Sequence, residues 1–183
     1  MTLNNLLKYF YKGVDFRTRH KPITNQEATL ENPYVINEPE ISLAIYNSLN
    51  GKARYYKIES DKEFNFYAGI LTPKTDKPLK KVWFDVLDKD MISLNLNGTG
   101  EQTDFKWWCW YESYGKKWYW VGTETGDYFK STFKLPAGTY YIKVFNEDLE
   151  GNYSLAVGDI EKFGLTDILK IPSALKTIES YWS

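Results

Sequence analysis

Nine aromatic side chains fall between Phe105 and Trp120: Phe105, Trp107, Trp108, Trp110, Tyr111, Tyr114, Trp118, Tyr119 and Trp120. Five of the seven tryptophans lie in this stretch. Flat indole rings suit the apolar face of a sugar. They can also stack on nucleobases, but that use needs a basic groove, and only Lys106, Lys116 and Lys117 are at hand to begin one. The middle of the stretch, Glu112-Ser113-Tyr114-Gly115-Lys116-Lys117, reads as a hairpin turn. On the first strand Trp108 and Trp110 share a face with Lys106, while Trp107, Cys109 and Tyr111 share the other. On the second, Trp118 and Trp120 share a face with Tyr119 opposite. A hairpin with tryptophan on both faces cannot bury every ring against one core, so some rings must cover another element or face water, and an exposed aromatic row marks a binding surface. The candidate ligand-binding set is therefore Trp107, Trp108, Trp110, Tyr111, Trp118 and Trp120. The structural alternative has these rings packed under terminal helices with their N–H groups bonded to backbone.

Other chemistry is sparse. A single His and a single Cys exclude zinc fingers, multi-histidine metal sites and a disulfide framework. His20 has no G-x-S-x-G elbow to serve, and Cys109 has no neighbouring His to activate it. Gly98-Thr99-Gly100 lacks the G-K-[ST] continuation of a phosphate loop and reads as a turn. Oxygen donors gather at Asp85, Asp88 and Asp90, and again at Glu147, Asp148 and Glu150. Hard oxygen donors suit Ca2+, although neither group follows the EF-hand spacing. No cofactor is expected, with Ca2+ at Asp85, Asp88 and Asp90 as the one metal left open. A sandwich of this length has little room for a deep catalytic cleft, so the chain is not expected to be an enzyme.

The elements that must carry these residues are strands. The 183 residues hold 43% apolar and 26% charged side chains, the balance of a folded domain. The formal net charge of −1 gives no reason to expect nucleic acid as a partner. Over 32–160, apolar residues alternate with polar ones at period two, with Gly, Pro, Asn and Asp between the runs. Tyr56 and Ile58 share a face. So do Phe64, Phe66, Ala68 and Ile70; Val82, Phe84 and Val86; Ile92, Leu94 and Leu96; Tyr140, Ile142 and Val144; and Tyr153, Leu155 and Val157. Runs of this kind, with no helical pattern between them, predict an all-β, antiparallel, two-sheet β-sandwich. Tyr140 and Tyr153 are expected to bury their rings between the sheets and bring their hydroxyls to backbone acceptors at the rim.

The ends differ in texture. Residues 1–31 form a polar, basic arm in which Leu3, Leu6, Leu7, Phe10 and Val14 predict a short amphipathic helix. Over residues 1–24, Lys8, Lys12, Arg17, Arg19 and Lys21 stand against Asp15 alone, so the arm could sit on an anionic membrane surface or pack on the domain with its lysines in water. Residues 161–183 carry a helical stripe of Ile168, Ile171, Leu175, Ile178 and Trp182, interrupted at Pro172. That stripe predicts a terminal helix laid on the sandwich, or a stalk that meets a partner. No run of about 18 apolar residues occurs, so no segment reads as a membrane-spanning helix.

The stretch Leu135-Pro136-Ala137-Gly138-Thr139-Tyr140-Tyr141-Ile142-Lys143-Val144, followed by Glu150-Gly151-Asn152-Tyr153-Ser154-Leu155-Ala156-Val157, resembles the closing hairpin of bacterial pre-peptidase C-terminal domains. Tyr55-Tyr56-Lys57-Ile58 resembles their opening strand, and Phe64 to Leu71 their second. The resemblance spans about residues 50–160, and the Trp-rich segment 101–130 departs from it. It implies a jelly-roll-like sandwich used as a non-catalytic accessory or binding module of an exported or membrane-anchored protein. Some relatives bind calcium or matrix polymers, and no calcium ligands carry over by position. The functional expectation is binding of a carbohydrate or other polymer through the Trp-rich hairpin. The alternative is a structural protein–protein interaction domain. The expected setting is extracytoplasmic or membrane-associated, with this chain itself soluble.

Overall fold

A computed structural model describes residues 21–24, 26–74, 81–112, 116–162 and 178–179. Twelve strands are present among them: β1 (Lys21–Thr24), β2 (Tyr34–Ile36), β3 (Leu43–Ser48), β4 (Arg54–Ser60), β5 (Phe64–Phe66), β6 (Ala68–Pro73), β7 (Trp83–Leu87), β8 (Trp108–Glu112), β9 (Lys117–Glu124), β10 (Phe133–Leu135), β11 (Gly138–Phe145) and β12 (Asn152–Val157). They form a six-stranded sheet in the order β1-β3-β12-β6-β9-β8, a four-stranded sheet in the order β2-β4-β11-β7, and a ribbon of β10 with β5.

The alternating residues explain how the two larger sheets pack. Tyr56, Ile58, Phe84, Val86, Tyr140, Ile142 and Val144 from the four-stranded sheet share one core with Ile45, Ala68, Ile70, Tyr153, Leu155 and Val157 from the six-stranded sheet. Phe64, Phe66 and Leu135 of the ribbon join the same core. The ribbon also links the layers, since β5 leads through Tyr67 into β6 and β10 leads through Pro136 and Ala137 into β11.

The sheets are mixed rather than purely antiparallel. β1 pairs parallel with β3, and β2 parallel with β4. The cause is layer alternation: the chain places β1, β2, β3 and β4 in turn on opposite sheets, so strands two apart in sequence become neighbours. The expected closing hairpin is also not a hairpin. β11 pairs with β4 and β7, whereas β12 pairs with β3 and β6 in the opposite layer.

A second difference concerns 91–98, whose alternation of Ile92, Leu94 and Leu96 predicts a strand. These residues instead form a loop touching β7 through the Leu87–Ser93 bridge. Asp88 Oδ1 accepts the backbone N–H groups of Asp90 and Ile92, both at 2.9 Å. Met91 and Asn95 then adopt φ values of 63° and 48°, incompatible with extended backbone.

Tyr140 follows expectation, donating its hydroxyl to the Pro136 carbonyl at 3.1 Å. Tyr153 does not reach the rim. Its hydroxyl lies 2.6 Å from that of Tyr56, deep in the core, and Asn47 Nδ2 donates to the Tyr56 oxygen at 3.3 Å. Burial pushes the Tyr56 hydroxyl up to about 12, even though its hydrogen bonds to Tyr153 and Asn47 pull the other way.

The six-stranded sheet is covered on its outer face as well. All six residues of β6 are buried. At one end of that face Ile178 lies against Ala44 and Tyr46 of β3 and is 5% exposed. Ile178 and Glu179 are helical, so this position of the C-terminal stripe turns onto the chain's own sheet. The rest of the predicted C-terminal helix and the whole N-terminal one lie outside the described residues. The sandwich nevertheless takes in the end of the arm, since β1 is an edge strand and Ala28 is fully buried.

Candidate functional site

β8 and β9 make the predicted hairpin. Their register sets Trp108 opposite Val121, Cys109 opposite Trp120, Trp110 opposite Tyr119, Tyr111 opposite Trp118 and Glu112 opposite Lys117. Directly paired residues point to the same side of a sheet. One face therefore carries Trp108, Trp110, Tyr119 and Val121, and the other Cys109, Tyr111, Trp118 and Trp120.

The first face is packed. Tyr67, Leu71, Tyr119, Val121, Phe129 and Ala156 form a buried cluster, with Trp108 and Trp110 against it. Phe129 lies 5.0 Å from the Trp110 ring and 6.2 Å from Trp108. It is delivered by a tight turn in which Tyr128 and Phe129 both have positive φ, and Asp127 and Lys130 exchange backbone hydrogen bonds. The Glu124 carboxylate anchors that turn, accepting from Phe129 N–H and from the Tyr67 hydroxyl, each at 2.9 Å. Burial, followed by the Glu124 charge and hydrogen bond, holds the Tyr67 hydroxyl well above its ordinary range. Tyr46 on the same outer face is raised in the same direction, first by burial and then by Tyr119.

Trp107 precedes β8 and is also structural. Its ring lies over Gly122, where a Cβ would come within 2.7 Å of it, and stands edge-on to Trp83 at 6.2 Å. Gly122 thus leaves the space an indole fills.

The second face is the open one. Trp118 is 52% exposed and Tyr111 43%, with ring centres 5.2 Å apart and planes inclined by 53°. Large aromatics left in water cost roughly 1.5–3 kcal/mol each relative to burial, so an exposed pair carried on a hairpin calls for a use. Lys74, just past β6, places its ammonium 5.3 Å from the Trp118 ring centre and 5.7 Å from that of Trp120. This is cation–π distance. The Lys74 backbone N–H donates to the Trp118 carbonyl at 3.1 Å, fixing the two residues together. The Trp120 indole N–H is buried without an acceptor, as is that of Trp107. Cys109 is a free, half-buried thiol on this face.

The six predicted ligand residues therefore divide. Trp107, Trp108, Trp110 and Trp120 are all half-buried, the first three against the domain's hydrophobic clusters, and Tyr111 and Trp118 form the ledge. Lys74 is the contributor that sequence spacing hides, because only the β6–β9 pairing brings it to the hairpin. Tyr128, 72% exposed and edge-on to Trp108 at 6.0 Å, is a further exposed ring, signalled in sequence only by its place in a Gly126-Asp127-Tyr128-Phe129 turn.

The acidic triplet lies in and just after β7, in the four-stranded sheet, and shapes the loop that follows. Asp85 Oδ1 accepts from Val86 N–H at 2.8 Å and from the Ser93 hydroxyl at 2.9 Å. Asp88 organises the turn described above, and Asp90 pairs with exposed Lys89 at 2.7 Å. Among the described residues no group of three or more His, Cys, Asp or Glu side chains is placed to hold a metal ion. His20 lies outside the described residues. No helix among the described residues is long and apolar enough to cross a membrane. A scan against models of known protein families finds no match for the chain, and a search of curated proteins finds none either.

Proposed function

We propose that this chain is a non-catalytic binding module of an exported or membrane-anchored protein, and that its hairpin ledge takes a carbohydrate or related polymer. The observation that carries the reading is the exposed Tyr111–Trp118 pair at the margin of a sheet whose other aromatics are buried or half-buried. A pyranose ring presents a flat C–H face, and two adjoining aromatic rings offer it a platform that needs no deep pocket. The compartment draws on the resemblance of 135–157 to an accessory domain of exported proteins. Titration with oligosaccharides tests the reading through tryptophan fluorescence. Sugar binding should quench or shift the emission in the native protein and leave Trp118→Ala without response. A flat titration across neutral and acidic oligosaccharides rejects the carbohydrate reading.

A second reading, a structural protein–protein interaction domain, draws on β8 being the terminal strand of its sheet with an exposed aromatic on it. It predicts concentration-dependent self-association in sedimentation, reduced by Tyr111→Lys. Ile178 is no probe of that association, since its side chain is buried against Ala44 and Tyr46.

A further inference from the structure

We infer that the sugar recognised by this ledge is an acidic one, carrying a carboxylate or sulfate that Lys74 pairs with while Trp118 holds the ring; this rests on the carbohydrate reading above. Around the ledge, β8, β9 and the residue just past β6 present Lys74, Cys109, Tyr111, Trp118 and Trp120, none of them a carboxylate. The carboxylates of the hairpin are used elsewhere. Glu112 stands in register with Lys117 on the opposite face. Glu124, beyond the register shift in the β6–β9 pairing, is occupied by Tyr67 and the Phe129 N–H. Among the described residues Lys74 has no carboxylate partner, and its ammonium sits over two indole rings. A lysine held this way keeps N–H donors directed outward beside the platform. A neutral sugar would use the rings and leave that charge idle. An acidic sugar engages both, since one of its substituents lies within a few ångströms of any ring face it stacks with.

Calorimetric titration of the full chain with oligogalacturonate and with a dextran sulfate oligomer, each against its neutral counterpart (methyl-esterified oligogalacturonate and dextran), tests this. The acidic member of at least one pair should bind about tenfold more tightly than its counterpart, in line with one charge-assisted contact, and should weaken with added salt. Which pair shows the difference identifies the anion. Lys74→Gln should erase the preference for the acidic member, while Lys74→Arg should retain it. Equal binding of acidic and neutral oligomers, or a preference untouched by Lys74→Gln, overturns the inference and leaves the carbohydrate reading standing. Absence of binding to all four probes overturns both.

Discussion

The sandwich core and the β8–β9 hairpin are built by different rules. In the core, neighbouring strands are distant in sequence: β12 sits between β3 and β6, and β11 between β4 and β7. Among the described residues β8 and β9 are the one pair of sheet neighbours that are also consecutive in the chain. The core encloses rings contributed by both layers, with Tyr56, Phe66, Phe84 and Tyr153 fully buried, whereas the hairpin leaves Tyr111 and Trp118 in water. Long-range pairing ties the core into one cooperative unit, while a local hairpin at a sheet margin can vary its open face at little cost to the whole. The contrast separates residues that hold the fold from residues free to bind.

The largest break in this contrast should come from the core. Ile142→Ala removes a fully buried side chain between the sheets and should cost about 2–5 kcal/mol, read as a lower urea midpoint with unchanged slope. Alkaline pH attacks the same interior. Tyr46, Tyr56 and Tyr67 are held above their ordinary value of 10.0, so the folded state keeps protons that the unfolded chain releases. Stability from these groups is therefore fully present below pH 10 and is lost as pH rises above about 10, for Tyr56 up to about 12, at roughly 1.4 kcal/mol per pH unit for each tyrosine. Urea midpoints measured between pH 8 and 11.5 should stay level and then fall steeply.

The join between the two regions should show an intermediate effect. Gly122→Ala drives a methyl into the Trp107 ring and should cost about 1–3 kcal/mol, with a change in near-ultraviolet circular dichroism as the indole shifts against Trp83. The smallest effect on stability belongs to the ledge. Trp118→Ala should move the unfolding free energy by about 1 kcal/mol or less, since its contacts with Tyr111 and Lys74 lie at the surface. A large loss would instead make Trp118 part of the fold and erase the contrast.

Much of the inner core was legible because period-two alternation reports directly which side chains a pleated strand turns inward. Tyr56, Ile58, Phe84, Val86, Ile142 and Leu155 all lie where that rule puts them. The same rule failed at Ile92, Leu94 and Leu96, where the Asp88 carboxylate captures backbone N–H groups and bends the chain. It was silent on partners, because alternation says which way a side chain points and not which strand lies beside it. Hence the parallel β1–β3 and β2–β4 pairs and the division of β11 from β12 between layers were not foreseen. At the candidate site the sequence located the hairpin and its two faces, but the partial burial of Trp108 and Trp110 depends on Phe129, and Lys74 arrives through β6. Neither contact has a local signature.

The most direct measurement is a glycan array probed with the native chain and with Trp118→Ala, each first checked by urea unfolding. The account predicts a defined set of glycans bound by the native chain and none by Trp118→Ala, with both chains folded and their unfolding midpoints close. An array left blank by the native chain, or the same glycans bound by both, would contradict it.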